Sequence, residues 1–195
     1  MSANKRICNL FGSVFLVLTL GATFAASAQT SGHYVGDLVI KHLNDNDGRV
    51  FEVIKNFTYI DPTGGHWGVP KGARSDCASV PRVAWSIFPP CAGSHLKAAV
   101  VHDHFCETRN KSWRDVHRMF FNALRAAGVS QRSASLMYAA VYMFGPRWLP
   151  GGGPIRGRLL PPQSKQREKL EAMQSWIKAN NPSLEQIETR AREAS

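Results

Sequence analysis

The sequence is short of acidic residues and of the compact signatures that identify many enzymes. Its 195 residues carry 14 Asp and Glu against 24 Lys and Arg, a formal net charge of +10. It holds no His-Glu-x-x-His, no Gly-x-Ser-x-Gly, no Walker loop and no Cys-x-x-Cys. The zincin proteases, the nucleophile-elbow hydrolases and the P-loop nucleotide enzymes are therefore not indicated. No internal repeat is visible. What is present is apolar mass: 44% of the residues are hydrophobic and 10% aromatic. That much burial can offset chain entropy, which excludes a disordered or collagenous chain. The length suits one domain with appendages.

Residues 1–28 read as a secretory signal peptide. Lys5 and Arg6 form a basic start, Ile7 to Phe24 is apolar and uncharged, and Ala26-Ser27-Ala28 has the form of a cleavage site. An uncleaved anchor competes, since Ile7 to Ala28 could nearly span a bilayer. Small residues before Gln29, with no basic flank after it, favour cleavage. Cys8 lies too early in the apolar run for a lipoprotein signal. The expected location is periplasmic or secreted, with no transmembrane span after cleavage.

Without Lys5 and Arg6 the remaining 167 residues keep 22 basic against 14 acidic groups, a net charge of +8. In an exported protein such a surface fits anionic lipid or cell-wall polymer, or simply maintains solubility. No nucleic-acid partner is expected, because the basic residues are not interleaved with aromatics on a strand. The sequence leaves the oligomeric state open.

Cys77, Cys91 and Cys106 remain after cleavage, so at most one internal disulfide can form. If a helix runs from His95 to Glu107, Cys91 and Cys106 flank it about 15 Å apart at about 1.5 Å per residue. A disulfide needs Cα atoms within about 7 Å. Cys77–Cys91 and Cys77–Cys106 remain, the first preferred.

The element pattern predicts an α+β fold: a small antiparallel sheet followed by a core of three helices, with a charged helical tail. Tyr34 to Lys41 and Val50 to Ile60 read as strands around the turn residues Asn44 to Gly48, and His66 to Val69 as a third. Pro81 suits the first turn of a short helix through Phe88. Ser94 caps a helix ending near Glu107, Ser112 caps Trp113 to Ala127, and Ser130 caps Gln131 to Phe144. The domain spans 29–146. A Pro/Gly/Arg-rich linker follows over 147–162, then a tail over 163–195 expected to pack loosely.

Chemistry concentrates in Val100-Val101-His102-Asp103-His104-Phe105-Cys106. On a helix His95, Ala98, Ala99, His102 and Cys106 share one face, so His102 points into packed protein and His104 away from it. An inward His is by default a core residue; an adjacent acid favours general-base duty. Asp115 is the expected acceptor for its ring N–H, although Ser112-x-x-Asp115 also reads as a capping box. Upstream, Asp76 and Ser79 either cap the next helix or converge on His102, with Ser79 as nucleophile and Asp76 as cation ligand. Asp103 offers hard oxygen to a divalent cation such as calcium or magnesium. Zinc would want more nitrogen or sulfur.

Val69-Pro-x-Gly, Ser75-Asp76-x-Ala78-Ser79-Val80-Pro81-Arg82, Ala98-Ala99-Val100-Val101-His102-Asp103, Asp115 with Phe120, and Gly128-Val129 together resemble domain-of-unknown-function family 1353, found in bacteria and phages. That resemblance covers roughly Val50 to Gly145 and implies no activity. The run His102-Asp103, Phe105-Cys106 and Asp115 is also similar to the His-Asp helix of secreted phospholipase A-two enzymes. That likeness implies His102 as base, Asp115 as its orienter and Asp103 as calcium ligand. The calcium loop and disulfide lattice of those enzymes are missing. Two readings stand: an exported hydrolase with a His/Asp site acting on an envelope or lipid substrate, and a noncatalytic, phage-derived binding or structural module exported to the cell envelope.

Overall fold

The computed structural model describes residues 31–43, 50–76, 81–85, 89 and 93–193. Residues 1–28, read above as a signal peptide, the expected turn at Asn44 to Gly48, Cys77, Ser79, Cys91 and the 86–88 end of the expected short helix lie outside the described residues.

The fold is α+β. The strands are β1 (His33–Val35), β2 (Ile40–His42), β3 (Phe51–Val53), β4 (Phe57–Ile60), β5 (His66–Val69) and β6 (Arg74–Ser75). They form two three-stranded antiparallel sheets, β1-β4-β5 and β2-β3-β6, where one sheet was expected. The two share one register. From His33↔Ile60 to Ile40↔Val53 one partner advances seven residues as the other steps back seven, and from Phe57↔Val69 to Phe51↔Ser75 the opposed steps are six. The sheets are thus two ends of one meander whose ladders break in the middle, beside Gly36 at φ 82°, a backbone geometry natural to glycine. Alternation buries Phe51, Val53, Phe57, Tyr59, Trp67, Val69 and Ser75 on one face.

Helices α1 (Leu96–Thr108), α2 (Trp113–Ala126) and α3 (Gln131–Phe144) follow the expected spans closely. Ser112 and Ser130 cap α2 and α3, accepting from the Asp115 and Ser133 amides. Ser94 does not cap α1. His95 occupies the N-cap position without a side-chain bond there, and its Nε2 sits 2.9 Å from the Pro89 carbonyl. Pro81 likewise stands before, not inside, a 3₁₀ turn at Arg82–Ala84.

The tail is not loose. α4 (Gln163–Asn180) and α5 (Leu184–Glu193) both pack on α3. Every residue of α3 from Ala134 to Phe144 is buried, as befits a helix covered on all sides. α4 contributes Leu170, Met173 and Ile177, and α5 contributes Ile187 and Ala191. These are narrow apolar stripes that the surrounding charge hides in the sequence. The 147–162 segment is also tied down: Arg147 donates to the Tyr142 carbonyl, and Arg158 to those of Met143 and Gly145. Cations at these carbonyls complement the C-terminal end of α3. No helix among the described residues is long and apolar enough to cross a membrane.

Candidate functional site

α1 lies between the sheets and α2. Phe105 meets Trp67 of β5 edge-on, ring centroids 4.9 Å apart, while Ala98 and Ala99 are fully buried. This docking turns His102 and Cys106, one helical turn apart, toward α2. His102 is 0% exposed. Its Nε2 sits 2.9 Å from Nδ1 of His117 on α2, and its ring packs 4.6 Å from that of Phe120. The Cys106 sulfur lies 3.6 Å from His102 Nε2 and 3.8 Å from Nδ1.

Burial pushes His102 down to about 3, so the ring is neutral at physiological pH. His117 is also driven well below its ordinary value, by burial first and then by His102 and the Arg147 guanidinium. The Pro146 carbonyl works the other way, favouring a proton on the His117 ring. It stands outside strict hydrogen-bond geometry, and His117 Nε2 meets no acceptor within it.

One residue beyond His102, Asp103 turns toward the sheet. It is 8% exposed, and its Oδ2 accepts from Ser75 Oγ of β6 at 2.5 Å. Ser75 reaches it because strand alternation sends that side chain inward. Beside this bond opens a cleft of about 390 Å³ lined by Arg74, Ser75, Asp76, Asp103, Cys106 and Glu107, among others. Asp76 and Asp103 therefore share one cleft, and His102 lies directly beneath it, behind Cys106.

Asp115 is elsewhere. It stays exposed at the start of α2, where its carboxylate accepts from Ser112 Oγ at 2.7 Å. The nitrogen expected to face it meets His117 instead. The reason is helical phase: Asp115 and His117 are two residues apart and so point to different sides of α2. Ser79 lies outside the described residues. His104 is half-buried, with burial lowering its pKa against the pull of Glu107. His117 went unread in the sequence although it falls between Trp113 and Phe120 on the apolar stripe. A polar residue at an inward helical position was the available signal. Cys106, which the helical period places on one face with His102 and which the cysteine count makes a disulfide candidate, is a thiol.

Two donor sets thus adjoin. Asp76 and Asp103 offer oxygen in the cleft. His102, Cys106 and His117 offer two nitrogens and a sulfur, all buried and within 4.8 Å of one another.

Residues 51–141 match the family described as Protein of unknown function (DUF1353). Uncharacterized protein y4jT of Sinorhizobium fredii is 38% identical over 134 residues, covering 68% of this chain and 40% of that protein. Uncharacterized protein y4iH of the same organism is 35% identical over 94 residues, covering 48% and 39%. The chain spans about two fifths of the length of these relatives. No solved structure matches. The matched segment runs from β3 into α3 and contains the cleft acids, the paired histidines and Cys106, and over that segment the chain matches the DUF1353 family.

Proposed function

We propose that the protein is an exported hydrolase whose reaction takes place in the cleft between β6 and α1. The observation that carries this reading is the convergence of Asp76, Asp103 and Glu107 on one cleft. Hydrolysis needs a group that takes a proton from water and one that returns it to the leaving atom, and neighbouring carboxyl groups can divide those roles. Asp103 is held by Ser75, which fixes the direction of its carboxylate. Asp76 and Glu107 are exposed at the rim, where substrate enters. His102 has no open face and supports the cleft from below through Cys106, so the carboxylates meet the water. A net charge of +8 after removal of residues 1–28 favours an anionic envelope polymer or lipid as substrate.

The noncatalytic reading draws on the same bond: Ser75 to Asp103 is what a purely structural tie between sheet and helix would use. The discriminating test uses the exposed acids, which can be changed without disturbing the core. Purified protein is assayed on nitrophenyl esters, anionic phospholipid vesicles and peptidoglycan. Asp76→Asn/Glu107→Gln should fold normally and lose about 10²–10⁴-fold in rate on the substrate that is turned over. Folded wild type that hydrolyses none of the three supports the binding module. Export is tested separately: the processed protein should begin at Gln29.

A further inference from the structure

We propose that His102, Cys106 and His117 bind a zinc-class divalent ion at the base of the cleft. The donors come from two helices that are both fixed by packing. His102 and Cys106 are i and i+4 on α1, and His117 faces them from α2. In a tetrahedral zinc site, with Zn–N about 2.0–2.1 Å and Zn–S about 2.3 Å, a nitrogen and a sulfur lie about 3.6 Å apart and two nitrogens about 3.3 Å. Cys106 Sγ stands 3.6 Å from His102 Nε2, and the two ring nitrogens are 2.9 Å apart. The third pair, Cys106 Sγ and the His117 nitrogen, lies within 4.8 Å, so the imidazoles and the thiolate close in by up to about an ångström to complete the arrangement.

The outer shell agrees. When Nδ1 of a histidine holds a metal, its other nitrogen ordinarily gives its proton to a carbonyl or carboxylate. Nε2 of His117 is buried with no partner in hydrogen-bond geometry, and the Pro146 carbonyl is the group beside it that favours a proton on the ring. Two imidazoles and a thiolate select zinc, cobalt or copper over calcium and magnesium, which want oxygen. On binding, the ion replaces the hydrogen bond between the rings, the proton held there moves to the outer nitrogen of its own ring, and the Cys106 thiol proton leaves to solvent. Three protein ligands leave a fourth position for water, and Cys106 joins this group to the cleft. Binding does not depend on the hydrolytic reading, but a catalytic use of that water does.

The test is cobalt(II) and zinc titration of the reduced full chain after dialysis against chelator. One ion per chain is expected, with a thiolate-to-cobalt charge-transfer band in the near ultraviolet that zinc abolishes. Cys106→Ser should keep its far-ultraviolet circular dichroism and cooperative melt and lose the band. Cys77→Ser/Cys91→Ser should keep it. His117→Gln should no longer retain an ion through dialysis; if it fails to fold, Cys106→Ser still decides. Folded wild type that retains no ion, or Cys106→Ser that retains it as tightly as wild type, overturns the proposal. A cobalt band intact in a protein without hydrolytic activity sinks the hydrolase and leaves the metal site standing.

Discussion

Two of the buried polar clusters among the described residues are built oppositely. At the tail, Glu188 of α5 is 8% exposed, and each of its oxygens faces a cation. Arg118 Nε and the Tyr138 hydroxyl donate to Oε1 at 2.7 and 2.6 Å, and Arg192 stands 3.9 Å from Oε2. At the cleft, His102 and His117 are buried and neutral beneath Cys106, and His117 Nε2 meets no acceptor in hydrogen-bond geometry. A closed network fixes where helices dock. An incomplete one, kept in place by its surroundings, is what a binding or reacting group requires. The difference explains why the charged tail belongs to the fold and the neutral pair to the site.

The largest expected effect breaks the closed cluster. Glu188→Ala removes the acceptor shared by Tyr138 and Arg118 and should cost about 2–3 kcal/mol. That is below the value for a fully buried pair, because Arg118 is 40% exposed and regains water. The urea midpoint should fall with an unchanged slope. A change under about 0.5 kcal/mol would place α5 among ornamental contacts. At the cleft the expectation differs in form. His117→Leu leaves His102 Nε2 buried without its partner and should cost about 1–3 kcal/mol. The double variant His102→Leu/His117→Leu removes both polar groups and should cost less than the two single changes combined. Additive costs would mean that the rings contribute through packing alone.

These clusters also mark what the sequence could reveal. Helix spans and inward faces followed from period and caps, because Ser112, Ser130 and the glycine at 128 are local signals. Cleft membership of Asp76 and Asp103 was legible in outline, since both flank inward positions. The pairing of His102 was not. It depends on the rotation of α2 against α1, which hydrophobic packing decides and which the more familiar acid, Asp115, obscured. The docking of α4 and α5 was hidden similarly: a stripe three residues wide suffices when the receiving helix, α3, is apolar all round. The strand breaks at Gly36 and after Val53 were masked because both halves keep the alternation of a single strand.

The smallest effects are the pH slopes, and they should have opposite signs at the two clusters. His102 is held near 3 by burial, whereas an unfolded His titrates near 6.5. Between those values the unfolded chain binds a proton that the native ring refuses, so stability falls as pH falls, by at most about 1.4 kcal/mol per pH unit for each such ring. The window from pH 6.5 to 5, with chelator present, isolates the histidines, because Asp61 and Glu185 have lowered pKa values and lose their contribution only at lower pH. The double leucine variant should flatten this limb. Tyr138 is raised from 10.0, by burial first and then by its bond to Glu188. Its contribution is complete below pH 10 and is lost as pH rises beyond it, because the unfolded phenol ionises first. Tyr138→Phe should flatten the alkaline limb only in part, since Tyr34 and Tyr59 are raised as well. If Tyr138→Phe changed the acid limb, or the histidine variant the alkaline one, the two clusters would be coupled through α2 and could not be treated as separate devices.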